Sequence, residues 1–462
     1  MSDLLFELRT EELPPNDVRR ATRALETALA DALRDAGLAA ESTSAMWTPR
    51  RMTVWAHGLA DRSPDREERV KGPPARVAFD ADGSPSRAAL GFAKKSGVTP
   101  EQLERDGDYV YAVVRTPGRE AAVVIADALP GLIAGVPWKK RMTWGGPVTF
   151  ARPIRGIVAL LGDAVVTCDV AGLPAGRVTR GHPFLSESDV VLADATRAGY
   201  VESLRAAHVL ADPDERRAAV LRAARDLVPG LDVREALLEE VVNIVEWPSA
   251  LIGAFDASYL ELPPRLLVTV MEHHQRFFHV RAPDGALEAR FVAVMNRPAD
   301  SAETCRPGFE RVLVPRLHDA SFFLREDRKT RLDARLPALV DVVYHRKLGT
   351  LRDKAARLEA LAPAIATLLG HGAETAARAA RAGLLAKCDL VTLMVGEFPE
   401  LQGHVGSVYA TGDAEAADVA EALDWQYRHD FEAADAAATR RPWRSRYSSP
   451  RTSISCVSSA RE

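Results

Sequence analysis

Cysteine is nearly missing from this chain: four stand in 462 residues, at positions 168, 305, 388 and 456, with no Cys-x-x-Cys spacing. That excludes a disulfide framework and a cysteine zinc site, and it fits a reducing cytoplasm. Long apolar runs are missing too, and Met1-Ser2-Asp3-Leu4 lacks the basic-then-apolar order of an export signal, so no membrane partner is expected. Lysine is scarce, nine against 51 arginines, a bias that a GC-rich genome explains better than any function does. The net charge of −4 excludes a globally basic nucleic-acid binder while leaving room for a local basic face.

What is present suffices for two to four domains, since 47% of the residues are apolar. Leu4 to Leu8 reads as a strand, followed by the turn Arg9-Thr10-Glu11-Glu12-Leu13-Pro14-Pro15. Asn16 or Asp17 is placed to cap a helix whose buried stripe is Leu25, Ala28, Leu29, Ala32 and Leu33. Trp47 to Trp55 has strand composition, Ser84-Pro85-Ser86 starts a helix with serine as cap and proline in its first turn, and two apolar runs around Gly162-Asp163 predict a hairpin. Pro137 to Gly145 interleaves Lys139, Lys140 and Arg141 with Trp138 and Trp144, a surface that can hold phosphates while stacking a base. Leu237 to Trp247 predicts an amphipathic helix ended by Pro248, and a second helix puts Leu267, Val270, Met271, His274 and Phe278 on one face. Between Arg306 and Lys354 stand twelve Lys/Arg against seven Asp/Glu, the local basic density expected of phosphate-backbone contacts. From about 330 the strand signals stop and helices follow.

Several of these words, in this order, resemble the β subunit of the bacterial two-subunit glycyl-tRNA synthetase. They are Thr10-Glu11-Glu12-Leu13-Pro14-Pro15, Glu246-Trp247-Pro248, His273-His274-Gln275-Arg276-Phe277-Phe278 and Gly396-Glu397-Phe398-Pro399-Glu400-Leu401-Gln402-Gly403. The chain departs from the family pattern at Thr143, Pro183, Phe309, Val314 and Pro315. The resemblance implies an α+β multidomain protein, with an N-terminal α+β region over 1–150 and a central α+β region over 151–325. An all-helical domain related to HD phosphohydrolases would follow over 326–439, with the C-terminal anticodon-binding domain absent. It implies a partner α subunit in an α2β2 heterotetramer, and tRNA(Gly) rather than DNA as the nucleic acid. ATP and magnesium would be used by the complex through the α subunit, with no cofactor on this chain. Consistent with that division, there is no His-Ile-Gly-His or Lys-Met-Ser-Lys-Ser type motif, no phosphate-cradling G-x-x-x-x-G-K-[ST] loop and no class II Arg-x-Glu. No catalytic and no metal-binding residue is expected. The candidate tRNA contacts are Lys139, Lys140, Arg141, Arg276, Arg311, Arg316, Arg325, Lys329, Lys347 and Lys354.

Two rivals stand beside this reading. An HD-type hydrolase would need histidine and aspartate on several helices, and His345, His371, Asp389 and Glu397 are available, as are the pairs His318-Asp319 and His429-Asp430. The expected HD position, however, reads Lys387-Cys388-Asp389, and an ammonium there repels a divalent cation. The other rival is a non-functional truncated fragment. Residues 440–462 hold many arginines and serines with scarcely a periodic apolar position, a disordered tail on its face. Read two bases later, Pro442 to Pro450 becomes small or apolar, so a frameshift is the sharper expectation for this tail.

Overall fold

Leu4, Phe6 and Leu8 point to one face of the opening strand and Leu5 and Glu7 to the other, and all five are buried, because this strand is covered on both sides. It is the centre of a sheet in a computed structural model of the chain, which describes residues 1–80, 83–146, 148–170, 172–186 and 188–427. The tail expected over 440–462, and the reading-frame argument attached to it, lie outside the described residues.

The contacts divide the chain into two units, the first made of Met1–Ala250 with Val294–Ser301 and the second of Leu251–Ala293 with Ala302 onward. In the first, the strand order is Asp169–Val170, Leu173–Gly176, Ile154–Leu161, Ser2–Thr10, Arg51–Leu59, Ser42–Thr48, with Ala164–Val165 also pairing to Ile154–Leu161. Ser2–Thr10 is antiparallel to both its neighbours, so Glu7 lies opposite Thr53 on one side and Val158 on the other. The helices Pro15–Asp35 and Ala121–Gly135 supply Leu25, Leu29, Leu33, Ile125 and Leu129 to one face. Leu192, Tyr200, Leu204 and Val209 cover Leu5, Trp55, Val158 and Leu160 on the other.

Burial on both faces forces the second face to satisfy its polar residues internally. Glu7 accepts hydrogen bonds from Tyr200 and Thr179, and Arg51 lies beside it at 3.7 Å. Arg51 pairs with Glu246 and donates to the Arg180 carbonyl, while Thr48 donates to the same Glu246 oxygen at 2.6 Å. Burial alone would depress the Arg51 guanidinium, but Glu246 and Glu7 overcome it and raise it. Burial, and then the Glu7 carboxylate, push the Tyr200 phenol well above its ordinary value. Arg216, with no exposed surface, donates to four carbonyls, those of Val242, Leu210, Ala211 and Trp47, and burial lowers it to about 10.

Some local expectations need correction. The first helix starts on Pro14 with no side-chain cap, so neither Asn16 nor Asp17 caps it. Trp47 to Trp55 is not one strand but two, Ser42–Thr48 and Arg51–Leu59, turning at Pro49-Arg50. The helix expected to reach Trp247 ends at Val242, because Asn243 leaves the helix to accept from the Trp47 indole and donate to the Pro15 carbonyl. The second helix also stops short: Pro264–Thr269 passes into a π turn at Val270–His274, and Phe278 begins a strand. A serine does cap the helix expected at Ser84-Pro85-Ser86, but it is Ser86, so Pro85 precedes the cap and is not in the first turn. Ile154–Leu161 with Ala164–Val165 forms the hairpin, Gly162 taking a φ of +60°.

The second unit contains most of a small sheet in the order Ser249–Ala254, Leu287–Met295, Phe278–Arg281, and then becomes helical. It is not all-helical beyond 330, since Val343–His345 and Gly349–Thr350 pair. Leu351–Leu368 packs on Ala373–Leu385 so closely that a Cβ on Gly383 would sit 2.6 Å from the Leu358 carbonyl oxygen. Buried Asp327 caps the helix Leu393–Glu397, accepting from the Leu393 and Met394 amides, and also takes the Tyr409 hydroxyl at 2.9 Å. Among the described residues no helix is long and apolar enough to cross a membrane.

Candidate nucleic-acid interface

The cation-rich segment resolves into geometry on the helix Ala302–Asp327. Its buried residues are Leu313, Leu317, Ala320, Leu324 and Asp327. At about 100° per residue, Arg311, His318, Phe322 and Arg325 fall within roughly 60° of one another on the side facing away from that stripe. All four are exposed, with the Arg325 guanidinium 5.8 Å from the Phe322 ring centre. Lys329, just past the helix end, is exposed and pairs with Glu326 at 2.7 Å. The result is a cationic row with an aromatic ring in it, the combination that tracks a phosphate backbone while offering a base a stacking surface.

The other sequence candidates divide. Arg316 is exposed, but it lies about 140° around the helix from Arg311. Lys347 is exposed on the turn of the small hairpin. Lys354 is withdrawn from the set: it is buried, with its ammonium 4.0 Å from the centre of the Tyr344 ring. Arg276 is half-buried and takes a positive φ of 60°, directly after the π turn. In the first unit Lys139, Lys140 and Arg141 are all exposed. Lys139 approaches Asp17 at 3.6 Å, and Arg141 is tied to the Ala134 and Thr149 carbonyls. Trp138 is a core residue, edge-on to Phe150, so of the two tryptophans only Trp144 offers a face, and its indole N–H is held by the Phe150 carbonyl.

Sequence reasoning missed a second basic surface. In the first unit a cleft of about 360 Å³ is lined by Arg9, Arg50, Arg51, Arg155 and Arg180, with Glu11 as its acidic member. Glu11 holds Arg155 at 2.7 Å, Glu12 holds Arg50 at 3.2 Å and Asp189 holds Arg180 at 2.9 Å. The two glutamates of the turn are therefore counter-ions to arginines. Arg9 differs: among the described residues no carboxylate lies within ion-pair distance of it, and it donates only to the Arg155 carbonyl at 2.8 Å. Burial, with Arg51 and Arg180 nearby, lowers its guanidinium, and Gly156 leaves the room it occupies. The signal was available as four separate Arg-bearing words, at 9, at 50–51, at 155 and at 180, but nothing in one dimension says they converge.

His182 is fully buried, and burial lowers its imidazole; its Nδ1 accepts from the Phe184 amide. It is a structural group.

The hydrolase candidates fare no better. Lys387 donates to the Tyr427 hydroxyl at 3.0 Å and lies over that ring, while Cys388 is buried and its thiol is pushed up to about 12 by burial and by Asp389. Asp389 is fully enclosed, accepting from the Gly403 and Gly406 amides, and burial raises its carboxyl to about 6. Among the described residues none of His345, His371, Asp389 or Glu397 joins a cluster of three metal-ligating groups, and His429-Asp430 lies outside them.

The shifted carboxyl gives a pH prediction. Asp389 binds its proton more tightly in the fold than in the unfolded chain, so its contribution is full below the usual aspartate range and is lost as pH rises through about 6. Asp389→Asn keeps an acceptor for Gly403 and removes the titration. The stability of D389N relative to wild type should increase by about 1–1.5 kcal/mol between pH 5 and pH 7.5. Denaturant unfolding at the two pH values reads it, and a pH-independent difference would contradict it.

A family model described as glycyl-tRNA synthetase beta subunit matches residues 4–441. The glycine–tRNA ligase beta subunit of Pseudomonas fluorescens strain Pf0-1 is 40% identical over 442 residues, 95% of this chain and 64% of that protein. The protein of the same name from Desulforamulus reducens is 40% identical over 438 residues, covering 93% of this chain and 63% of its own length. That from Pseudomonas aeruginosa PAO1 is 39% identical over 430 residues, covering 92% and 62%. The chain thus spans a little under two thirds of the curated relatives it matches.

Proposed function

The chain belongs to the glycyl-tRNA synthetase beta subunit family, and from that premise we propose that it binds and orients tRNA(Gly) for ATP-dependent glycylation at an active site carried by an α subunit. Adenylate formation needs a site for ATP and glycine, and the sequence has none of the motifs that build one. What it supplies is positioning, which converts an encounter into an effectively unimolecular step without a nucleophile of its own. ATP and magnesium are then used in the partner, and the assembly is a cytoplasmic α2β2 heterotetramer acting in protein biosynthesis. The helical part beyond 326 is, in this reading, an HD-like domain without a working metal centre, as the buried Lys387 and enclosed Asp389 favour. The observation that carries the proposal is the basic and aromatic row Arg311, His318, Phe322, Arg325.

Two assays test it together: glycine-dependent ATP–pyrophosphate exchange and charging of tRNA(Gly), each with the chain alone and with purified α subunit. The chain alone should be inactive in both, and adding it to the α subunit should raise charging. Glycyl-adenylate formation by the isolated chain, or phosphohydrolase activity lost in D389N, would overturn the division of labour.

A further inference from the structure

Two words of the sequence, His273-His274-Gln275-Arg276 and Phe398-Pro399-Glu400-Leu401, lie far apart in the chain and meet in the fold. The Glu400 Oε1 atom lies 2.8 Å from Nε2 of His274 and 3.7 Å from Nδ1 of His273. One ligand atom from each of the three residues lies within 4.8 Å of the other two. All three belong to the second unit. Consecutive residues of an α-helix point about 100° apart. Here the histidines close a π turn, Val270–His274, a form concentrated at functional sites, and they offer opposite nitrogens, Nδ1 from one ring and Nε2 from the other, to a single oxygen.

We propose that His273, His274 and Glu400 bind one divalent transition-metal ion, zinc foremost, and leave a coordination position open to solvent. Two imidazoles and a carboxylate are the donor set of three-ligand zinc sites, whereas calcium and magnesium select oxygen. With bonds of about 2.0–2.2 Å, donors around a tetrahedral ion stand roughly 3.3 Å apart. The observed 2.8 and 3.7 Å from Glu400 to the two imidazoles straddle that value, and all three donor atoms lie within 4.8 Å of one another. A hydrogen bond between His274 and Glu400 accounts for the shorter distance alone. It does not account for a second imidazole turned to the same oxygen.

The surroundings hold two of the ligands in place. Glu400 sits in the short turn Pro399–Leu401, after buried Phe398, whose ring packs edge-on to His274 at 5.1 Å between centres. His273 is the solvent-facing ligand, with 62% of its side chain exposed, and it marks both the entry path and the open position. An ion there would staple the π turn to the 399–401 turn. This site is independent of the RNA reading and distinct from the failed HD position at Lys387 to Asp389.

The test uses the full chain, stripped with a chelator and titrated with zinc chloride against a chromophoric competitor, with bound metal counted by elemental analysis. One equivalent is expected. H273A, H274A and the isosteric E400Q should each weaken it by 10- to 100-fold or more. E400Q and the exposed H273A report on ligation even if H274A is less stable, and circular dichroism checks their folding. Cobalt should give the intense visible bands of a low-symmetry four-coordinate ion in the wild type and not in E400Q. Failure of the wild-type chain to take up zinc at micromolar concentration, or wild-type zinc affinity in E400Q and H273A, would overturn the proposal. Loss of tRNA binding would leave it untouched.

Discussion

Arg51→Met should destabilise the first unit by about 3–5 kcal/mol, the largest single-residue effect expected outside the apolar core. Arg51 lies within ion-pair distance of two enclosed carboxylates, Glu7 and Glu246, and both are about 1% exposed. A methionine fills most of the volume but leaves those charges facing each other in a medium that cannot solvate them. The Arg180 carbonyl also loses its donor. For a unit of this size the transition should fall by roughly 6–20 °C in calorimetry. Adding Glu246→Gln should recover part of the loss, because it removes one of the stranded charges. A single variant within about 1 kcal/mol of wild type would mean that water reaches these carboxylates.

The triple change Arg311→Ala, Arg325→Ala, Lys329→Ala should weaken tRNA binding by one to two orders of magnitude at low salt and reduce the salt slope by about two to three. All three side chains are exposed, and none contributes to the buried stripe at Leu313, Leu317, Ala320 and Leu324, so folding is spared. Arg316→Ala on the same helix is the internal control. It removes the same charge from a position about 140° away, so a row-specific interface predicts a small effect. Equal losses for Arg316 and for each member of the row would mean that only the segment's overall charge matters. Lys354→Met should leave RNA binding unchanged, since that ammonium is buried on Tyr344.

How far the sequence foretold these features depends on the range of the interactions that make them. A serine cap within Ser84-Pro85-Ser86 and Gly162 at a hairpin turn are local: the deciding atoms lie within three or four residues. Helix ends fixed by distant partners were not legible. Asn243 ends a helix early because the Trp47 indole is there, 196 positions away in sequence, and no periodicity contains that fact. The same holds for the Arg51–Glu246 pair and for the arginine cleft at Arg9. In the candidate interface, net charge singled out the segment 306–354, but only the helix phase separates Arg311 and Arg325 from Arg316. Lys354 shows the opposite error, since a lysine counted as surface charge can spend itself on a ring.

The central claim is that this chain holds tRNA(Gly) electrostatically. The direct measurement is the affinity of the purified chain for tRNA(Gly), by fluorescence anisotropy, across a series of salt concentrations. A log–log slope of several units, shallower in the Arg311/Arg325/Lys329 variant, is the predicted result. Absence of binding at low salt, or binding that salt does not weaken, would contradict it.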